Sequence, residues 1–400
     1  MFSLKAKNIY EVARPLLNLS RYFGINAFTI EVKNERVTAR VSWIDLTLIL
    51  SANFNIIFSS ICFLHVFSDL TKLDDMFYSK IYEKTFKCSY VFAFITSFVI
   101  SWWTFSKRNS LIDLFNKLIE ADAELENMKV PVNLKKVKKC ILMFIFLGGF
   151  VISIAFVIYL PKIIAEDIHW IHHFGMISAQ ATTFQIFLTF LQFQFIVHSI
   201  KARYVCLNRF LTDNFLKSSN NVYVGKAADL HKVTCIHESL VECSDLVNKF
   251  YGVPAMLLMA QEFCYTITCI FVNIQFMYQN DSTFTFVSIP SLFWSANSTF
   301  ILFIMTYWGH VARQEAMKTA SLIHKIANRD KLNVLSPKIL ILSQQLLHRI
   351  PLFSCGLFDF DLNLTFKMIG TAAIYVVILI QFDHAQIDMD DIEAKNVTLI

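Results

Sequence analysis

Glycine and proline are scarce in this chain, with 9 and 7 among 400 residues. Tight turns draw on those residue types, so a barrel or sandwich stitched by many turns is excluded and long helices are expected. Charge is thin as well: Asp, Glu, Lys and Arg make up 17% of the chain, against about 25% in an average soluble domain. The nine cysteines form no CxxC pair and no Cys/His group with zinc spacing. That argues against a disulfide framework and a metal site, and leaves small buried apolar side chains as the default reading. No cofactor is expected. The opening residues MFSLKAKNIYEVARPLLNLSRYFG lack the long apolar core and small-residue cleavage site of a signal peptide, so the first membrane span is expected to do the targeting. Also missing are an HExxH motif, a nucleophile elbow, paired intramembrane carboxylates and any internal or inverted repeat. An enzyme or transporter is therefore disfavoured, and no catalytic residue is expected.

What the chain has instead is hydrocarbon. Hydrophobic types make up 55% of it, 40 positions are Phe, and the mean hydropathy is +0.50. A bilayer core takes about 20 apolar residues as helix. Seven such runs are present, roughly at 43–66, 88–106, 140–161, 174–199, 255–278, 285–308 and 366–382. Lys and Arg then set the orientation. Seven lie in residues 1–41, eight in 107–139, and seven each in 200–250 and 310–365. The opposite side holds Lys72, Lys80, Lys84, Lys162 and Lys395, with Lys87 at a span edge. The expectation is an all-α membrane protein of seven transmembrane helices with a cytoplasmic N-terminus and an extracellular C-terminus. That is the reverse of a G-protein-coupled receptor. The outer segments are short and acidic, which either concentrates cations near the membrane or records only an absence of lysine.

The domain organisation follows. Residues 1–41 form a cytoplasmic segment, and 42–309 form the first six spans with cytoplasmic helical loops 107–139 and 200–250. Residues 310–365 form cytoplasmic helices, 366–382 the seventh span, and 383–400 an acidic outer tail. Apolar spacing at i, i+3 and i+4 in 313–328 and 338–350 predicts helices there. They are read either as inward continuations of the membrane helices that pack together below the bilayer, or as independent surface helices. The tail carries the glycosylation sequon Asn396-Val397-Thr398. It either shapes the outer mouth or is a disordered end, and disorder is the expectation.

The seventh span, TAAIYVVILIQF, places Thr371, Ile374, Tyr375, Ile378, Gln381 and Phe382 within about 120° of a helical wheel. All its polar groups share that face. Two readings are open: a helix lining water in a ring of copies, with Ile378 closing the path by dewetting, or Gln381 at the outer interface bonding to headgroups.

These residues resemble the insect gustatory receptor family, whose chains end in T-Y-five hydrophobics-Q-F after a segment like C-G-L-F-x-[VIF]-D. The chain reads SCGLFDFDLNLTFKMIGTAAIYVVILIQF from Ser354 to Phe382, and Tyr375, the run 376–380, Gln381 and Phe382 match. HVARQEAMKTASLIHKI from His310 and RPLLNLSRYFGINAF near the N-terminus are similar to further family stretches. Ile374 departs from the pattern, standing where the family has Thr, with Thr371 one turn earlier. The resemblance implies a tetrameric, ligand-gated, non-selective cation channel in the plasma membrane, a homo- or heteromer with one central pore. Thr371, Tyr375, Ile378, Gln381 and Phe382 would line or gate it, and the inner helices would form an anchor between subunits. The related insect odorant receptors are the alternative. Partners would be a small-molecule tastant (bitter, sugar or other metabolite), permeating cations and the bilayer, with no nucleic acid.

In that family the tastant enters from outside among the upper halves of spans two to six. The polar and aromatic groups there are Tyr90 and Tyr159; Gln180, Thr183 and Gln185 on span four; Asn273, Gln275 and Tyr278 on span five; and Ser291, Trp294, Ser295 and Asn297 on span six. Such groups suit a small organic ligand, but each also has a plain reading as a helix-bridging or backbone-bonding side chain. Glu262 falls about one turn inside the inner membrane edge. It is expected to snorkel or to pair with an inner Lys or Arg rather than to act. His169, His172 and His173 precede span four, where an interfacial cluster is the commoner explanation and zinc or proton sensing the other.

Overall fold

The protein is seen in a computed structural model that describes residues 8–33, 36–69, 80–139, 142–146, 149, 170–217, 226–279, 284–329, 344, 346 and 349–397. Helices dominate, as the lack of Gly and Pro requires. They are α1 (Ile9–Tyr22), α2 (Trp43–Asp69), α3 (Lys80–Ser106), α4 (Arg108–Asn127), α5 (Trp170–Leu211), α6 (Lys226–Gln279), α7 (Phe284–Arg329) and α8 (Leu362–Val397). One antiparallel hairpin, β1 (Thr29–Lys33) with β2 (Arg36–Arg40), departs from the all-α expectation, in the register Val32↔Val37 and Lys33↔Arg36. The hairpin is held locally. The Asn116 side chain accepts from Val37 N at 2.7 Å and donates to Val37 O at 3.0 Å, which satisfies the edge strand from α4.

Six of the seven predicted spans fall on these long helices, and the third lies almost entirely outside the described residues. By length and composition, five of the described helical stretches suffice to cross a membrane: Trp43–Cys62, Glu83–Ser106, Gln180–Leu216, Ala228–Gln275 and Leu362–Gln386. Helices α5, α6 and α7 run 42, 54 and 46 residues without a break. At about 1.5 Å per residue the longest spans about 80 Å, far more than a bilayer core. The segments 200–211, 226–250 and 310–329 thus continue the helices that carry predicted spans four, five and six, and the expected helix at 338–350 lies almost entirely outside the described residues.

The core sits in those continuations. α6 and α7 pack along each other, α5 packs on α7, and α4 packs on α6. Ile200, Tyr204 and Leu207 meet Val233, Leu240 and Val247 in one cluster that also takes Leu111, Phe115 and Leu118 of α4. α1 closes the cluster from below. Asn8 caps it, accepting from Glu11 N at 3.0 Å, and its buried stripe Ile9, Val12, Ala13, Leu16 and Leu17 has helical spacing. Among the described residues the opposite half holds small clusters, Phe271 with Val272 and Cys269 with Trp294.

α8 does not end at the predicted span. Asp361 caps it through Leu364 N at 3.0 Å, and it continues to Val397, so the tail expected to be disordered is helical as far as that residue. No Gly or Pro interrupts residues 383–397, and Ala, Glu, Gln and Met propagate a helix already nucleated. The eight described cysteines are free thiols. Cys62, Cys206, Cys243 and Cys269 are buried as expected, whereas Cys88, Cys235 and Cys264 are exposed.

Candidate functional site

The approach to α8 is built by the segment Ser354–Asp361. Ser354 bridges to Asp359, and Gly356 turns the chain with φ +88, a conformation open to glycine. Asn248 of α6 holds this turn, accepting from Ser354 N at 2.9 Å and donating to Leu352 O at 2.7 Å. Phe353 and Phe360 are buried. Gly309 of α7 lets the chain approach closely, since a Cβ there would lie 2.4 Å from the Phe360 carbonyl oxygen. Thr306 of α7 then bonds Thr365 in the first turn of α8. The stretch that carries the motif resemblance is thus a docking turn that fixes where α8 starts.

Beyond that turn α8 leaves its own subunit. Its buried or half-buried positions Thr365, Met368, Ala372, Val376, Leu379 and Asp383 recur at three and four residues, one narrow edge of the helix. Val376 is buried, and Leu379 and Ile380 pack against Phe271 and Val272 of α6. The predicted pore residues lie off that edge. Tyr375 is 50%, Ile378 36% and Phe382 63% exposed, and Thr371 and Gln381 are exposed too. The Thr371 hydroxyl donates to its own backbone at Lys367 O, 2.8 Å. Ile374 and Val377 are equally open. The uncovered arc is therefore wider than the predicted face, and one chain does not separate its two sides.

The outer end of α8 is tied to the bundle. Gln275 Nε2 of α6 donates to Asp383 Oδ2, one residue past Gln381-Phe382. The resemblance implies a ligand role for Gln275 and a gating role for Gln381 and Phe382, and this bond ties the one helix to the other beside them. It could not be read from sequence, because the two residues are far apart in the chain.

The other predicted ligand residues fall into two groups. Asn273 Oδ1 accepts from Ser291 Oγ at 2.9 Å and its Nδ2 donates to Cys269 O at 2.7 Å. Trp294 is buried and edge-on to Tyr265. Ser295 and Asn297 are half-buried beside it on α7. The second group is on α5. Gln185 is buried, taking the Ser97 hydroxyl at 2.8 Å and giving to Ser101 Oγ at 2.7 Å, so its amide is engaged in bridging α3 and α5. Gln180 is half-buried with an unpartnered Oε1, and Thr183 is half-buried. Tyr90 is half-buried on α3, its ring 4.7 Å from that of Phe86. Tyr159 and His169 lie outside the described residues, as do the side chains of Tyr278, His172 and His173.

Glu262 departs from expectation. It is buried and takes a hydrogen bond from Ser298 of α7, and it forms no ion pair with Lys or Arg among the described residues. The helix places it inward, against α7, where no cation reaches it.

Three polar networks escaped the sequence reading. Asn26, in the left-handed region at φ 51, donates to Gln192 Oε1 at 2.6 Å, which also accepts from the Tyr251 hydroxyl at 3.1 Å. Asn208 joins α5 to α7 by giving to Glu315 O at 2.8 Å and taking the Thr319 hydroxyl at 2.7 Å. Arg203, fully buried, meets Asp122 of α4 at 2.6 Å. Burial pushes the Asp122 carboxyl above the usual carboxylate range, with the Arg203 guanidinium pulling it the other way.

Known proteins share this architecture. The olfactory receptor OR5 of Machilis hrabei matches with a TM-score of 0.66 at 13% identity, over 92% of this chain and 97% of that one. The same receptor in complex with eugenol matches at 0.67 and 12%. In sequence, the gustatory receptor for bitter taste 66a of Drosophila melanogaster is 28% identical over 169 residues, 39% of this chain. That stretch spans only 31% of the relative's own length. A model of the 7tm chemosensory receptor family matches residues 13–386, and on that extent the chain belongs to this family as a chemosensory membrane receptor, not an enzyme.

Proposed function

We propose that this receptor is a ligand-gated, non-selective cation channel, opened at the plasma membrane by a small-molecule tastant. It works as a homo- or heterotetramer with one central pore. The observation that carries this reading is α8, an apolar helix with a polar stripe that buries one narrow edge on its own subunit. Such a surface calls for partners, and copies around an axis supply them. In the closed state Ile378 and Phe382 obstruct the path and the Gln381 amides ring it, with Tyr375 and Thr371 further in. The N-terminus and the extensions of α5, α6 and α7 lie in the cytoplasm and form the anchor, and the C-terminus lies outside.

Ligand arriving among Asn273, Gln275, Ser291 and Trp294 shifts α6, and the Gln275–Asp383 bond carries that shift to the outer end of α8. A two-state element biased from two sites is what allosteric coupling requires. The fold match to an olfactory receptor favours a second reading, an odorant-gated channel of the same build.

Expression of the chain alone in oocytes tests the proposal. Ligand-evoked cation current is expected, and a panel of tastants against odorants, eugenol included, separates the two readings. Current unchanged by Gln381→Ala, Ile378→Ala and Phe382→Ala would sink the pore assignment. Epitope tags at both termini test orientation separately, as does an endoglycosidase shift from the Asn396 sequon.

A further inference from the structure

A second polar site lies away from both the pore helix and the outer bundle. Where the helical turn at 134–139 meets α5 and α7, the structure holds a cavity of about 30 Å³. Val137, Phe144, Leu191 and Phe195 give it apolar walls, and Gln194, His198 and Trp308 give it polar ones. Gln194 is only 6% exposed, yet neither its Oε1 nor its Nε2 has a hydrogen-bond partner, and His198 Nδ1 has none either. Buried amide atoms left unpaired cost free energy, so a guest that both donates and accepts is called for. A void this size holds about one water or one hydroxyl. It excludes an organic tastant.

The surroundings state what the rest of the guest carries. His198 and Trp308 stand edge to face at 4.8 Å, at the ends of predicted spans four and six, level with the inner membrane edge. Lys201 Nζ sits over the Trp308 ring at 4.5 Å. Lys136 and Lys201 both bear on His198. Glu315, the acid that bears on Lys201, is held by Lys318 at 2.6 Å. Lys136 and Lys201 make no ion pair among the described residues. Lys136 belongs to the run Lys135, Lys136, Lys138, Lys139 that leads into the third predicted span. Basic clusters beside a membrane helix and basic pockets between helices attract anionic headgroups of the cytoplasmic leaflet.

We infer that this pocket binds an anionic phospholipid with a hydroxyl-bearing headgroup, of the phosphatidylinositol type. Its phosphate lies on Lys136 and Lys201, and one hydroxyl, or a water bound to it, enters the void to satisfy Gln194. A choline headgroup offers neither the net charge nor the hydroxyl, and a serine headgroup offers net charge but presents its donor and acceptor as a charged ammonium and carboxylate, which a buried neutral void disfavours. Bound lipid would staple the entry of the third span to α5 and α7, within the anchor half. The inference rests on the orientation proposed above but not on channel activity.

The test uses the full-length chain in detergent, where a short-chain lipid reaches both sides and topology does not matter. Binding of labelled dioctanoyl phosphatidylinositol 4-phosphate is followed by fluorescence polarisation, with dioctanoyl phosphatidylserine and phosphatidylcholine as competitors. Inositol lipids should compete best, serine lipid less and choline lipid not at all. Removing charge with Lys136→Gln and Lys201→Gln should weaken binding about fivefold for each lysine, and Lys136→Arg with Lys201→Arg should retain it, which guards against misfolding as the cause. Gln194→Leu should reduce the preference for inositol over serine about threefold to tenfold. Equal competition by choline lipid, or indifference to the charge variants, overturns the inference. So does absent binding with a higher melting temperature for Gln194→Leu, which would mark the void as a hydrated packing defect.

Discussion

Helices α5 and α8 are built from the same kinds of residue and end up in opposite situations. In the 18-residue apolar window of Gln180–Leu216, 78% of residues are buried within the chain, and in that of Leu362–Gln386, 11% are, although the second stretch is the more apolar. Hydropathy therefore does not predict which helix a subunit covers. What differs is the polar chemistry. α5 carries Gln185, Gln192, Arg203 and Asn208, each bonded to a different neighbouring element. Among the described residues, α8's side-chain hydrogen bonds to the bundle, Thr306–Thr365 and Gln275–Asp383, lie toward its two ends. In lipid, apolar area gives little drive for helices to associate, so interhelical hydrogen bonds and close packing decide which helices lock together. The bundle around α5 is locked, and α8 is pinned at its ends and open between them.

The comparison is broken most severely by attacking the lock. Arg203→Ala leaves the partly buried Asp122 without its cation, and a loss of about 3 kcal/mol, the low end for a broken buried pair, is expected. It would be read as a collapse of the melting temperature and yield of purified protein, with Asp122→Leu in the same chain restoring part of it. Next comes Gly309→Ala, which drives a methyl into the Phe360 carbonyl. About 1–3 kcal/mol is expected from such overpacking, and Gly252→Ala, with its nearest atom at 3.6 Å, should cost less in the same thermal assay.

At the pinned end, Gln275→Leu should cost about 1 kcal/mol of stability while shifting the half-maximal ligand concentration at least about fivefold, the low end of typical allosteric coupling. A double-mutant cycle with Asp383→Asn checks that the two act through one bond, and additive effects would separate them. The smallest stability effect belongs to the open face. Phe382→Ala and Ile378→Ala should change the melting temperature of dissociated subunits by no more than about 0.5 kcal/mol equivalent, yet alter current in the assembled protein. A large loss in the dissociated subunit would mean that α8 packs on its own chain after all.

Much of the helical layout was legible because membrane spans obey a length rule. Apolar runs near bilayer length fell on long helices, and the 3.6-residue period at 313–328 fell on the extension of α7. The helical continuation of α8 past Phe382 was missed because an acidic, sequon-bearing end reads as a tail, whereas an established helix needs only an uninterrupted run of good formers to continue. The hairpin at residues 29–40 was missed because it is two five-residue strands held from distant helices, by Asn116 of α4 and Tyr10 of α1. At the candidate site, the sequence marked Asn273, Gln275 and Ser291 as polar groups in apolar helices. It could not say that Asn273 bonds Ser291 while Gln275 reaches Asp383, nor that Gln185 is engaged between α3 and α5.

The sequence by itself determined that the chain is helical, that most of its long helices suit a bilayer, and that one face of the last span gathers Thr371, Tyr375, Ile378 and Gln381. These follow from local periodicity and composition, which act within a few turns of chain. Only the tertiary structure decided which polar residues face one another. Arg203 meets Asp122 across 81 residues, Gln192 meets Asn26 across 166, and Gln275 meets Asp383 across 108. Such pairings are set by how helices cross, and no single helix records that in its own pattern.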